Sequence, residues 1–77
     1  MSWWIVEVMD DALMGLYGGE IGESTVAGPF LTREDAWEAK QKYKAWGSIY
    51  YKLVEAEAKP PTWSRRYEFE RGEFSEY

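Results

Sequence analysis

Cysteine, histidine and asparagine are all absent from the 77-residue sequence. The chain therefore forms no disulfide, and it lacks the thiol nucleophile, the soft zinc ligands and the commonest general base. It also lacks any apolar run near the ~20 residues that span a bilayer, and its first residues carry no basic cluster. We expect a cytosolic protein that has no cofactor or metal and does not insert into a membrane.

The acidic pairs and the glycines do not indicate catalysis. Asp10 and Asp11 stand where a turn is expected, and Glu34 and Asp35 stand in the first turn of a predicted helix, where carboxylates suit the helix dipole. The glycines of residues 15–22 are not followed by the Lys-Ser or Lys-Thr of a phosphate-binding loop. The sequence therefore predicts no catalytic residues and a protein that is not an enzyme.

Aromatic side chains are abundant for so small a chain. They make up 18% of the residues, with five Trp and six Tyr, at a mean hydropathy of −0.57. A domain of this size buries only about 60% of the surface of its unfolded chain. We therefore expect some rings to lie on the surface, where Trp and Tyr are enriched at protein contacts. Large rings can equally serve to enlarge a small core.

The negative charge is concentrated in the amino-terminal part of the chain. Fourteen acidic and nine basic residues give a formal net charge of −5. Residues 1–32 contain no Lys or Arg, and their acids are Glu7, Asp10, Asp11, Glu20 and Glu23. Such a segment repels nucleic acid and attracts a basic protein surface, although acidic loops also serve solubility.

Short runs rich in β-branched and aromatic residues predict three strands. The first is residues 3–9, and its alternation separates two sets of side chains: Trp4, Val6 and Val8 on one face, and Trp3, Ile5, Glu7 and Met9 on the other. The second strand is residues 23–28, and the third is residues 49–56 with a bulge near Leu53. Residues 10–22 connect the first two strands, and a short helical turn over residues 11–16 is compatible with their sequence.

One helix is predicted between the second and third strands. Thr32 is its N-cap and Gly47 is its C′ residue, just past the end of the helix. Helical spacing predicts a buried stripe formed by Ala36, Ala39, Tyr43 and Trp46, with Trp37 beside it.

These elements predict an α+β domain of ββαβ layout over residues 1–59. Its three-stranded antiparallel sheet has the order 2-1-3, with one helix packed on one face. Residues 60–77 form an aromatic and charged tail, in which a period-2 pattern allows a fourth strand. The face opposite the helix is left for the tail, a second copy or a foreign partner to cover. It is predicted to show Trp3, Ile5, Met9, Tyr50 and Lys52, or Trp4, Val6 and Tyr51 if the register differs by one residue.

Two resemblances bear on function. Residues 26–36, VAGPFLTREDA, resemble the strand–Gly-Pro-Phe–helix junction in the second half of SPOR domains, which implies binding to denuded peptidoglycan. The order of elements is similar to that of small phage-encoded inhibitors of bacterial enzymes, such as the inhibitor of host RNA polymerase. That resemblance implies a short acidic protein that blocks a host nucleic-acid-handling machine.

Together these features predict a non-enzymatic protein-binding module. The leading hypothesis is a phage or mobile-element protein that occupies a basic surface of a host protein and does not itself bind nucleic acid. Steering is assigned to Glu7, Asp10, Asp11, Glu20 and Glu23, and anchoring to Trp3, Tyr50 and Trp63. The alternatives are a homodimeric structural module, in which the uncovered sheet face pairs with its own copy, and a SPOR-like peptidoglycan binder.

Overall fold

The computed structural model describes residues 1–11, 19–68 and 73–76, which form a small α+β domain. Its elements are β1 (Ser2–Asp10), β2 (Gly19–Phe30), α1 (Arg33–Lys40), β3 (Ile49–Ala56), β4 (Trp63–Glu68) and β5 (Glu73–Glu76). The strands pair antiparallel in the order β3-β1-β2-β4-β5. Residues 12–16 of the helical turn considered for residues 11–16 lie outside the described residues.

The sheet is wider than the three strands predicted. β1 does lie between β2 and β3, but β4 and β5 extend the sheet beyond β2. Residues 19–22, predicted as part of a connection, belong to β2 and pair with β4. Gly22 makes this pairing possible, because a Cβ at that position would lie 2.8 Å from the carbonyl oxygen of Trp63.

The irregular pairing lies in β2 and not in β3. β1 and β3 pair without interruption from Ser2↔Ala56 to Met9↔Ile49, so the bulge predicted near Leu53 is wrong. Along β1, three steps lead from Trp3 to Val6, whereas five steps lead from Phe30 to Thr25 on the paired β2. β2 therefore carries two extra residues, which bend it locally, as bulges do.

The register defines two faces of the sheet. The first face carries Trp3, Ile5, Glu7 and Met9 of β1, together with Ile49, Tyr51, Leu53 and Glu55 of β3. The second face carries Trp4, Val6 and Val8 of β1, together with Tyr50, Lys52 and Val54 of β3. The predicted grouping of Tyr50 and Lys52 with Trp3 is therefore wrong, and so is the grouping of Tyr51 with Trp4. The two strands keep their expected alternation, but their relative register is shifted by one residue.

The helix covers the first face. Ala36 of α1 and Ile5 of β1 are both fully buried, and the Tyr43 ring, which follows the helix, lies 5.0 Å from the Tyr51 ring on that face. Thr32 caps the helix as predicted, with its Oγ1 accepting a 3.1 Å hydrogen bond from the backbone N–H of Asp35.

The helix ends earlier than predicted. After Lys40 the chain tightens, with hydrogen bonds from Lys42 N–H to the Ala39 carbonyl and from Tyr43 N–H to the Lys40 carbonyl, at 3.2 and 2.9 Å. These i→i−3 bonds are typical of a 3₁₀ turn at a helix end. Gly47 is therefore not a C′ residue. Its φ of 57° serves the turn before β3 instead.

The second face is not the bare aromatic surface predicted from the sequence. Trp4, Val6 and Val8 are buried there. The Trp4 indole N–H donates to the Ala56 carbonyl at 3.2 Å, and the Thr25 hydroxyl donates to the Pro60 carbonyl at 3.0 Å. The chain that leaves β3 therefore returns over this face at its Trp4 end. At the opposite end of the face, the Tyr50 ring is exposed.

Candidate functional site

The structure divides the residues predicted to bind a partner between the two faces. The β1–β2 and β2–β4 registers place Asp10, Glu23, Tyr50 and Trp63 on the second face. They place Trp3, Glu7 and Glu20 on the first face, while Asp11 follows the end of β1. The predicted residues therefore do not form one continuous surface.

Two of the predicted carboxylates make contacts within the fold. Glu23 Oε2 lies 2.7 Å from Lys52 Nζ, and this ion pair crosses β1 on the second face. Glu7 Oε2 accepts a 3.0 Å hydrogen bond from the Tyr51 hydroxyl on the first face. Both carboxylates have a polar partner within the fold, so they contribute less to a long-range field than acids without one would.

Trp63 is similarly engaged. It is half-buried, it stands directly opposite Glu23 in the β2–β4 pairing, and the Arg65 guanidinium lies 5.2 Å from its ring centroid. This distance allows a cation–π interaction. The ring therefore has local partners already, as does the buried Trp4 ring on the same face. Of the three anchors predicted, Tyr50 is the one that is strongly exposed, at 46%.

One end of the sheet combines acids with exposed rings. We name Asp10, Asp11, Glu20, Trp46 and Tyr50 the acidic–aromatic end. The Asp11 N–H donates to the Glu20 carbonyl at 2.7 Å, and the Asp10 N–H donates at 2.9 Å to the carbonyl of Ser48, in the turn that carries Trp46. The Trp46 side chain is 71% exposed. Backbone hydrogen bonds thus connect the segments that carry these three acids and two exposed rings, although Glu20 lies on the first face and Asp10 and Tyr50 on the second.

Arginines lie on one side of this end in the strand register. Arg65 stands opposite Ile21, and Arg66 stands opposite Glu20, in the β2–β4 pairing. Asp10 and Asp11 lie on the β1 side, which β2 separates from β4, and neither forms an ion pair with a described residue. Asp10 and Asp11, both half-buried, therefore carry their negative charge close to the turn that holds Trp46 and leads into β3.

Trp46 is the candidate residue that the sequence pattern did not indicate. Its helical spacing from Ala39 and Tyr43 predicted a buried position, but it lies beyond the end of α1 and pairs with Ile49 through reciprocal backbone hydrogen bonds of 3.0 and 2.9 Å. The sequence signal that identifies this turn is the Gly47-Ser48 pair, since two-residue hairpin loops commonly place glycine first. Trp37, 54% exposed on α1, offers a comparable ring away from this turn.

No three acidic side chains of the described residues are grouped so as to hold a metal ion. Within the same residues, no helix is long and apolar enough to cross a membrane.

The chain matches no protein-family model, no curated protein and no solved structure. The site is therefore interpreted from its own residues.

The Tyr51–Glu7 contact leads to a testable pH dependence. The pKa of Tyr51 is raised above the ordinary 10.0, first because its hydroxyl donates to Glu7, and further by burial and by the Glu7 charge. The neutral phenol is thus favoured in the folded state. Its contribution to stability is complete below pH 10.0 and is lost as the pH rises through the higher pKa of the folded state.

We therefore expect the stability difference between the wild-type protein and Tyr51→Phe to shrink as the pH rises above 10.0. Urea unfolding followed by circular dichroism between neutral and alkaline pH measures it. Tyr50→Phe is the matched control, because it removes the neighbouring phenol, which does not contact Glu7, and its curve should parallel that of the wild type. A constant difference between wild type and Tyr51→Phe across this range would contradict the expectation.

Proposed function

We propose that the protein is a non-enzymatic protein-binding module, encoded by a phage or another mobile element. It inhibits a host nucleic-acid-handling machine, such as RNA polymerase, a restriction enzyme or a CRISPR effector, by occupying a basic surface of that machine. The observation that supports this proposal is the acidic–aromatic end, where Asp10 and Asp11 stand beside the exposed rings of Trp46 and Tyr50.

The carboxylates account for the choice of partner. A surface that binds nucleic acid carries Lys and Arg, because it must neutralise phosphates. Asp10 and Asp11 offer acceptors of the same sign as phosphate, so they are attracted to such a surface and compete with nucleic acid for it. The expected contribution of this attraction is mainly a faster association that weakens with added salt.

The aromatic rings account for the stability of the complex. Trp and Tyr at the centre of an interface are the side chains whose truncation costs most binding energy. Trp46 and Tyr50 present large apolar area at the acidic–aromatic end, and Trp46 is fixed on a turn by two backbone hydrogen bonds. A ring held in place loses little conformational entropy on binding, so it contributes mainly to slow dissociation.

The steering role is tested with charge variants. The tagged protein is used to capture partners from a bacterial lysate, and the captured protein is identified and purified. Asp10→Asn/Asp11→Asn should slow association by about tenfold at low salt and flatten its dependence on salt. Glu38→Gln/Glu57→Gln removes the same charge from exposed positions outside the acidic–aromatic end, and it should leave the association rate close to that of the wild type.

The anchoring role is tested with a pair of tryptophans. Trp46→Ala should speed dissociation by about thirtyfold or more, as for an interface residue worth about 2 kcal/mol. Trp37→Ala, which removes a comparably exposed ring from the helix, should change it little. The wild-type protein should also inhibit the partner's activity on nucleic acid. A partner that binds no nucleic acid, or binding that is insensitive to both the Asp10/Asp11 and the Trp46 variants, would refute the proposal.

A further inference from the structure

β3 forms one edge of the five-stranded sheet. The Asp10 N–H donates to the Ser48 carbonyl, whereas Ile49 exchanges its backbone hydrogen bonds with Trp46 on the outer side. Backbone groups alternate in direction along a strand. The N–H and C=O groups of Tyr51, Leu53 and Glu55 therefore point outward, away from β1.

The outward groups of β3 are open. No described residue forms a backbone hydrogen bond with the outer side of Tyr51, Leu53 or Glu55. A row of unpaired donors and acceptors at a sheet edge is a template for another strand. Of the residues that form β3, Ile49 alone has its outward groups occupied, by Trp46, so the open stretch begins at Tyr51.

Two features that commonly protect an edge strand, a proline and a bulge, are missing from β3. It contains no proline, and its pairing with β1 has no bulge. It contains one lysine, the residue most often used to block edge pairing. However, Lys52 Nζ lies 2.7 Å from Glu23 Oε2 on β2, so the side chain is directed inward across β1 and its charge is neutralised there.

We propose that β3 pairs antiparallel with β3 of a second copy of the chain, in a two-fold arrangement centred on Leu53. In this register Leu53 stands opposite Leu53 of the second copy. Tyr51 stands opposite Glu55 and Lys52 opposite Val54, so no like charges face each other. A register centred on Lys52 would instead place two lysines in direct opposition, which is unfavourable.

The second copy fits this edge because the edge is complementary to itself. A two-fold interface requires one surface to match its own copy, and the outward residues Tyr51, Leu53 and Glu55 are symmetric about the central position. Each of the three residue pairs exchanges two backbone hydrogen bonds. The pair formed by Ile49 and Trp46 limits the contact at both ends, so the contact closes as a dimer.

Sedimentation over roughly a hundredfold range of protein concentration tests the proposal. The wild-type protein should shift from monomer to dimer. Glu55→Pro removes an outward N–H that has no partner within the monomer, so the fold should tolerate it, whereas dimerisation should weaken about tenfold or more. Glu55→Gln keeps the N–H and should dimerise like the wild type. A monomeric wild-type protein over the whole range, or equal dimerisation of Glu55→Pro, would overturn the proposal.

A cross-linking pair tests the register independently, and it decides the matter if circular dichroism shows that Glu55→Pro is unfolded. The chain has no native cysteine. Opposed Cα atoms in a hydrogen-bonded pair lie about 5.5 Å apart, within the range of a disulfide. Leu53→Cys should therefore cross-link on mild oxidation, whereas Tyr50→Cys should not, because Tyr50 faces Ala56 of the second copy. Equal cross-linking of the two variants, or none in Leu53→Cys, would count against this pairing.

The dimer does not depend on the partner proposed for the acidic–aromatic end. Asp10→Asn/Asp11→Asn should leave the monomer–dimer equilibrium unchanged, because neither residue lies on the outer side of β3. The two proposals can thus fail separately.

Discussion

Replacing Trp4 with alanine is expected to lower the free energy of unfolding by about 3–5 kcal/mol. The ring is 8% exposed on the second face, and its indole N–H donates to the Ala56 carbonyl at 3.2 Å. Its removal leaves a cavity and removes a hydrogen bond from the Ala56 carbonyl, where the chain leaves β3. A domain of 77 residues has a total stability of roughly 4–12 kcal/mol, so the variant should retain only a fraction of it.

Urea unfolding of the Trp4→Ala variant, followed by circular dichroism, measures this loss. Trp37→Ala is the matched control, because it deletes the same side chain from a position that is 54% exposed. Its stability should stay within about 0.5 kcal/mol of the wild type. Comparable losses in the two variants would show that Trp4 does not belong to the core of the sheet.

Gly28→Ala is expected to be the next most damaging change, with a loss of about 3 kcal/mol. Gly28 has a φ of 127°, which side-chain-bearing residues rarely adopt. An added Cβ would also lie 2.8 Å from Cε3 of Trp4 and 3.0 Å from the Trp3 carbonyl oxygen. The expected loss combines about 1–3 kcal/mol of backbone strain with a similar cost of overpacking.

Gly47→Ala separates these two causes. Gly47 also has a positive φ, 57°, but a Cβ there would meet no atom within 4 Å. Its replacement should therefore cost only the backbone term, about 1 kcal/mol. The two variants are compared by thermal or urea unfolding under one set of conditions. Equal losses would mean that crowding against Trp4 contributes nothing.

The local elements of the fold are well encoded in the sequence. Thr32 caps the helix as predicted. A threonine shortly before two acidic residues is typical of the start of a helix, so this prediction rests on a clear local signal. β1 and β3 were recognised from their β-branched and aromatic residues. β1 was also placed correctly between β2 and β3. The period-2 pattern of residues 65–72 allows a strand, and its first part lies in β4, whereas residues 69–72 lie outside the described residues.

The errors in the predicted fold arise where one sequence feature is compatible with two local structures. A glycine with positive φ ends a helix at C′ and also opens a tight hairpin turn, so Gly47 alone could not show which it does. Gly22 indicates a loop when it is judged by residue type alone, although it is the residue that lets β4 approach β2. At both glycines, the structure that forms depends on contacts between distant parts of the chain, and the periodicity of the sequence does not reveal those contacts.

The candidate site follows the same rule. The sequence located the acids but not their neighbours. Glu23 is paired with Lys52 because the register places both on one face, and that register was mispredicted by one residue. The sequence pattern places Trp46 on the buried stripe of a longer helix. In the structure α1 ends at Lys40, so Trp46 lies outside the helix and is exposed.

The position of β1 at the inside of the sheet has a consequence during synthesis. β1 leaves the ribosome first, yet its partners on one side extend to Phe30 and on the other to Ala56. Until residue 56 has been translated, one side of the most apolar strand stays unsatisfied. Such distant pairing predicts slow folding and a nascent chain prone to association. Chaperone demand should therefore be greatest for ribosome-bound chains that end before β3.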